Sequence, residues 1–326
     1  MLDMWTAAAV EKETRPLGHI SAVSVPSPTR VMLVWMATLH PMANRHFGKF
    51  ADVWKHLVVD EVLENAKPAR YAETHAGSGA YALVHDAERQ YGVLGFLEEL
   101  SCSKALSTAA FSRVMPAFVK GQPPQYPGSA LQAMTLLGDQ CAYLLCDMDP
   151  VSVDDLRAWS HRLNLSHCEV AQRDGMAAVR EWLGDPSVTV VHIDPFEPHS
   201  RQEGGLSAVE MAAEIADVGH TLVYWYGFDS PNQRSWAMEE IRTLTSAPLW
   251  CGDFMVTSGT RKPATDGDLG EGTTPGTGCG VVLANVASPL IDRCGDLAAA
   301  LVEAYDGKAL PNGEPGNLDL AITTTP

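Results

Sequence analysis

Two spacings of apolar residues divide the chain. From Phe50, the apolar residues Val53, Trp54, Leu57, Val58, Val62 and Leu63 recur at helical spacing and predict a helix. Further on, short apolar runs stop abruptly at glycine or an acid. Tyr71-Ala72-Glu73-Thr74-His75 leads into Gly77-Ser78-Gly79. Tyr143-Leu144-Leu145-Cys146 ends on Asp147. Glu169-Val170-Ala171-Gln172 closes on Asp174-Gly175, and Val190-Val191-His192-Ile193 delivers Asp194-Pro195. Such runs, separated by helical patterns, predict βαβ units and a parallel sheet, hence an α/β fold. Thr221-Leu222-Val223-Tyr224-Trp225-Tyr226 reads as a fifth strand. Residues 207–217 and 235–245 read as helices, 249–256 and 280–286 as a closing antiparallel pair, and 291–305 as a last amphipathic helix.

The stretch between Gly79 and Asp147 is far longer than one crossover helix requires. An inserted, mostly helical subdomain is therefore expected over about residues 89–130, inside a main domain of residues 38–305. Residues 1–37 read as an N-terminal extension and 306–326 as a poorly ordered, flexible tail. Residues 258–278, rich in Gly, Thr, Pro and Asp, read as a lid or a disordered loop.

The strand ends carry the candidate chemistry. Gly77 and Gly79 have no Cβ, so a ligand can approach the backbone closely. At the end of a parallel strand, such a turn is where α/β folds take nucleotide-like ligands. An acid such as Asp147 one strand away can accept both hydroxyls of a ribose. The competing reading of Gly-Ser-Gly is an ordinary surface turn.

In their order, these four strand ends resemble those of class I S-adenosylmethionine (SAM) methyltransferases. More closely, the chain resembles the large-subunit rRNA adenine-N6 methyltransferases of the RlmJ type. Ala51-Asp52-Val53-Trp54-Lys55-His56 and Tyr126-Pro127-Gly128-Ser129 are the specific matching elements. Thr74-His75-Ala76-Gly77-Ser78-Gly79, Asp147-Met148-Asp149-Pro150, Asp174-Gly175, Asp194-Pro195 and Trp225-Tyr226 complete the match, which covers most of the chain. The resemblance implies a Rossmann-like class I sheet with SAM as cofactor. It implies His56 and His75 at the SAM carboxylate, and Gly77, Gly79 and Ser129 beside the methionine part. It further implies Asp147 at the ribose, Asp174 and Gly175 near the adenine, and Asp194 between cofactor and substrate.

In that class an Asp/Asn/Ser-Pro-Pro-aromatic turn receives the amino group to be methylated, and its aromatic stacks on a flipped base. Here the turn reads Asp194-Pro195-Phe196-Glu197. Phe196 replaces the second proline, and Glu197 stands where the stacking ring belongs. A carboxylate is a poor platform for a nucleobase and a good partner for a cation. The four residues are the candidate catalytic set, with Asp194 and Glu197 orienting an amine. The other reading of Asp194 is a strand-end acid capping the next turn, and of Glu197 a solvated loop residue.

Charge changes the expected partner. The 326 residues carry 23 Lys and Arg against 40 Asp and Glu, a net charge of -17. A polyanion partner calls for a basic face, and apart from Arg30, Arg45, Lys49 and Lys55 little suggests one. The expected acceptor is thus an amine-bearing small molecule, such as an amino acid or a natural-product intermediate. Adenine-N6 methylation of rRNA is the alternative. So is transfer or cyclisation of the aminocarboxypropyl arm of SAM, which releases methylthioadenosine, and so is SAM sensing without turnover. Seven scattered cysteines without a Cys-x-x-Cys pair argue against zinc or a disulfide framework. No apolar run approaches membrane-spanning length, and a cytoplasmic setting is expected.

Overall fold

The computed structural model describes residues 47–185, 187, 189–201, 205–259, 262–269 and 278–326. The chain divides into two units, Met1–Pro41 and Met42–Pro326, and every described residue belongs to the second. The expected extension at residues 1–37, with Arg30, and Arg45 beyond it, lie outside the described residues. So do residues 260–261 and 270–277 of the expected lid.

Five parallel strands form the centre of the sheet: β1 (Arg70–Glu73), β4 (Ala142–Asp147), β5 (Cys168–Gln172), β6 (Thr189–Ile193) and β7 (Thr221–Phe228). All five residues of β6 are buried, because helices cover both faces of this part of the sheet. β8 (Leu249–Ser258) and β10 (Gly278–Ala284) extend it. β10 inserts antiparallel between β7 and β8, and with β11 (Gly316–Thr324) at the edge the order is β11-β8-β10-β7-β6-β1-β4-β5, the short β9 (Lys262–Pro263) pairing with β8 off this path. From β1 the chain winds outward to β4 and β5, then returns to β6 on the other side of β1 and goes on to β7. The pair β1 and β6 is thus the topological switch point, outside whose carboxyl ends open α/β sheets bind ligands.

Two hydrophobic cores flank the sheet. One packs the helix Phe50–Ala66, together with Ser129–Leu137 and Ser288–Tyr305, against Tyr71, Leu145, Val190 and Val223. The other packs Gly175–Trp182, Ala208–Asp217 and Trp236–Leu244 against Ala72, Val191 and Tyr224.

Short helices and turns fill residues 87–119. The chain then returns through a two-stranded ladder in which β2 (Ala80–Ala82) pairs antiparallel with β3 (Gln125–Pro127), Tyr81 opposite Tyr126. This ladder brings Tyr126-Pro127-Gly128-Ser129 back onto the glycine turn, where the Gly128 amide donates to the Gly79 carbonyl at 2.8 Å.

The tail differs from expectation. Residues 306–326 carry β11 (Gly316–Thr324), which pairs antiparallel with β8 from Gly316↔Ser258 to Thr324↔Trp250. Arg234 fastens it by donating to the Asp319 backbone carbonyl at 2.8 Å while ion-paired with the buried Asp253. An edge strand needs only one ladder and one covered face, and Leu318 supplies the buried contact.

Candidate active site

The glycine turn follows β1 directly. Gly77 has φ +61°, a region open to glycine at little cost, and a Cβ there would sit 2.5 Å from the Tyr81 hydroxyl. Its amide donates to Asp147 Oδ2 at 2.8 Å, while Oδ1 of the same carboxylate accepts the Asp149 amide at 2.8 Å. Asp147 is thus fixed at the tip of β4 by one bond to each oxygen, and each oxygen keeps a further lone pair for a diol. A side chain at Gly79 would strike Trp159 at 2.6 Å, so the turn lies tight against the helix Pro150–Arg162.

Beyond β5, Asp174 caps the helix Gly175–Trp182 by accepting the Met176 amide at 3.0 Å. A Cβ on Gly175 would lie 2.1 Å from the Thr74 carbonyl oxygen, so the two loops touch backbone to backbone. His75, Asp174, Met176, Pro195, Phe196 and Glu197 are among the residues lining a cleft of about 240 Å³.

Asp194 leaves the end of β6 and meets Lys55 from the helix Phe50–Ala66, Oδ2 to Nζ 2.7 Å. Lys55 also pairs with Asp52 at 2.9 Å and lies 5.5 Å from the ring centroid of Trp225. Burial pushes the Asp194 carboxyl up, but Lys55, with His192 and His75 beside it, outweighs burial and holds it below the usual carboxylate range. Burial likewise acts against the Lys55 ammonium, and the two carboxylates outweigh it, so its pKa is raised and it stays charged.

His56 is buried beneath this pair. Its Nδ1 lies 2.6 Å from the Tyr126 hydroxyl and 2.9 Å from Gln132 Nε2. Burial, and then the Lys55 charge, hold the imidazole well below its ordinary pKa, so it is neutral. Gln132 Nε2 can only donate, which makes Nδ1 the acceptor and leaves the proton on Nε2. Ser129, at the start of its helix, directs its hydroxyl proton to Glu73, where the resemblance implies a contact to the methionine part of SAM. His75 is exposed in the cleft, its Nδ1 2.9 Å from Thr74 Oγ1.

The structure therefore gathers Gly77, Gly79, Asp147, Asp174, Gly175 and Asp194 at the carboxyl end of the sheet, with His75 and the Pro195-Phe196-Glu197 turn around the cleft. His56 and Ser129 lie in the buried layer behind them. Phe196 is 78% exposed, so it stands at the rim as a free ring face rather than forming an enclosed apolar wall. The sequence marks Lys55 only as part of a motif and gives Glu73 and His192 no role. Asp52 and Lys55 at i,i+3 on one helix face are the available signal for the first. The other two are polar residues inside apolar strands.

No family model matches the chain. It is 33% identical over 194 residues to ribosomal RNA large subunit methyltransferase J of Escherichia coli strain K12, an alignment covering 56% of this chain and 67% of that protein. A solved structure of a protein from Legionella pneumophila strain Philadelphia 1 overlays with a TM-score of 0.62 at 20% identity, covering 86% of this chain and 98% of the other. The chain belongs to the methyltransferase J family. It is a divergent, SAM-dependent member, and the fold is the Rossmann-like class I sheet. The residues present fit the cofactor. Asp147 offers paired lone pairs beside a glycine turn that a Cβ would fill, and His56 offers a buried N–H. No helix among the described residues is long and apolar enough to cross a membrane, and they hold no group of three metal-ligating side chains.

Proposed function

We propose that the enzyme methylates a neutral amino group on a small molecule that enters between Asp194 and Phe196. The observation that carries this reading is the Lys55–Asp194 ion pair at 2.7 Å. When bound, SAM supplies an electrophilic methyl. The protein's part is then to aim a nitrogen lone pair at it, and an ammonium has none to offer. Asp194 already has its cation, so an incoming ammonium would compete with Lys55, whereas a neutral N–H donor needs only a spare lone pair of the carboxylate. Phe196 offers a flat apolar face beside it. Glu197, exposed and without an ion-pair partner among the described residues, favours an acceptor with positive charge elsewhere in the molecule. Catalysis in this arrangement is positioning and exclusion of water.

The cofactor is assigned to the glycine turn, with Asp147 on the ribose, Asp174 and Gly175 beside the adenine, and His56, His75 and Ser129 toward the methionine end. Asp147→Ala should weaken SAM binding at least about tenfold by calorimetry, the worth of one charge-assisted hydrogen bond. Unchanged affinity in a folded variant would place the ribose elsewhere.

A second reading is methylation of ribosomal RNA, favoured by the 33% identity to methyltransferase J and by the exposed Phe196 ring. The net charge of -17 weighs against it. Labelled SAM incubated with rRNA fragments and with a panel of amine-bearing small molecules separates the two. Label is expected in a small molecule, with S-adenosylhomocysteine as by-product. Labelled RNA, with sub-micromolar affinity that weakens steeply with salt, would establish the second reading instead. Methylthioadenosine would mean that the aminocarboxypropyl arm, not the methyl, is moved.

A further inference from the structure

β11 lies at one end of the sheet, with only β8 beside it in the strand order. Its backbone groups alternate in direction. The Gly316 amide donates to the Lys308 carbonyl at 2.7 Å, and the Gly316 carbonyl accepts from the Gly307 amide at 2.9 Å, so Gly316 faces away from β8. The Thr325 amide donates to the Leu249 carbonyl at 2.9 Å, so the odd-numbered residues face β8. Leu318, Leu320, Ile322 and Thr324 therefore aim both backbone groups outward, and no described residue pairs with them.

Long sheet edges are commonly blunted by lysine, proline or a bulge. β11 has none of these. Its register with β8 runs unbroken from Gly316 to Thr324, and the strand contains no lysine or proline. Its one charged side chain, Asp319, is ion-paired with Arg234 at 3.2 Å. The helix Ser288–Tyr305 continues this surface. Leu290, Cys294, Leu297 and Leu301 turn into the core, and Arg293 reaches Glu61 on one flank. The other flank runs through Ile291, Gly295, Ala299 and Val302, at spacings of four, four and three, and carries no charge. It borders β11, since a Cβ on Gly295 would lie 3.8 Å from Cδ1 of Ile322, which is 45% exposed.

We propose that this surface joins two copies of the chain, β11 pairing antiparallel with β11 of the second copy about a two-fold axis at Ala321. That register sets Leu320 opposite Ile322 and Leu318 opposite Thr324, so every outward residue finds a partner. Asp319 then faces Thr323, and the ladder places no like charges opposite each other. The two helices lie on the same face of the joined sheet, their apolar flanks toward each other. The net charge of -17 favours this surface over others, because two such chains repel except where acids are absent or neutralised. A two-fold contact uses the same patch on both copies, so assembly stops at the dimer.

Sedimentation of the full chain tests it. A species of twice 35.1 kDa is expected, with a dissociation constant that falls as salt screens the repulsion. Ile322→Pro removes an outward amide and keeps the β8 ladder. It should raise the dissociation constant at least about tenfold, since each copy loses a backbone bond. Ala299→Glu, on the exposed flank, should weaken the dimer comparably without touching the backbone. Thr323→Pro, which removes an amide facing β8, should instead lower the thermal transition of the chain itself, whereas the other two variants should keep that of the dissociated wild type. A dimer unmoved by both Ile322→Pro and Ala299→Glu would overturn the proposal. So would a wild type that stays monomeric at its highest soluble concentration, which would leave the edge to a strand of another protein.

Discussion

Asp194→Ala is expected to lower kcat by about 10²–10⁴-fold, the range seen when a positioned proton acceptor is removed. SAM affinity should stay nearly unchanged, because Asp194 bonds the acceptor nitrogen in the transition state and not the cofactor. Lys55 would keep Asp52 at 2.9 Å, so the buried ammonium retains one carboxylate and the fold should survive. Asp194→Asn keeps an acceptor oxygen but loses the charge, and should fall between wild type and alanine. Steady-state kinetics with the true acceptor, beside SAM calorimetry, checks both halves. Full activity in Asp194→Ala would move the acceptor site elsewhere, to the neighbourhood of Tyr224 and Trp225.

The parts of the fold legible in the sequence are those with a local cause. Central parallel strands are covered on both faces, so β4 reads as an unbroken apolar run and β6 as one interrupted by His192, and each stops where the chain turns toward solvent at Asp147 or Asp194. The helix Phe50–Ala66 shows its buried face through Val53, Trp54, Leu57 and Val58. β11 escapes notice for an equally physical reason. Leu318, Leu320 and Ile322 do alternate with Asn317, Asp319 and Ala321. But Ile322 is 45% exposed, and a segment rich in Gly, Pro and Asn precedes them, so the pattern resembles a tail. What makes it a strand is the bare edge of β8, which lies some 60 residues earlier in the sequence.

In the candidate site, the glycines and acids can be read because loops at strand ends expose few residue types for chemistry. The partners that tune them cannot. Lys55 meets Asp194 across 139 residues, and Glu73 meets His192 across 119. Neither distance leaves a trace in periodicity. A buried Glu or His inside an apolar strand only becomes interpretable when its neighbours on the next strand are known. Register supplies that knowledge, since Glu73 and His192 are direct partners in the β1–β6 ladder.

Lys55→Met should be the most disruptive change at a residue to which the sequence alone assigns no place in the chemistry. Lys55 is 7% exposed, and methionine replaces its stem closely in volume, so packing is largely kept while the charge goes. The buried Asp194 carboxylate then has no cation at 2.7 Å, and breaking such a pair costs about 3–5 kcal/mol. The Asp194 side chain keeps 21% exposure, which places the expected loss near the lower end. In the wild type, the folded pKa of Asp194 is depressed. Its stabilising contribution is thus present above the ordinary carboxylate value and lost as pH falls through the folded value. Without Lys55 only the weaker influence of His192 and His75 still opposes burial, so the pKa rises and the carboxylate becomes a liability at neutral pH that protonation relieves. The variant should therefore lose more thermal stability relative to wild type at pH 8 than at pH 5. Its kcat should fall, and its pH–rate profile should gain an acid limb closer to neutrality, where the wild type is flat. Lys55→Arg keeps the charge and should restore the flat profile. A Lys55→Met enzyme with reduced kcat but an unshifted profile would show that Lys55 acts on the acceptor or the cofactor directly, not through Asp194.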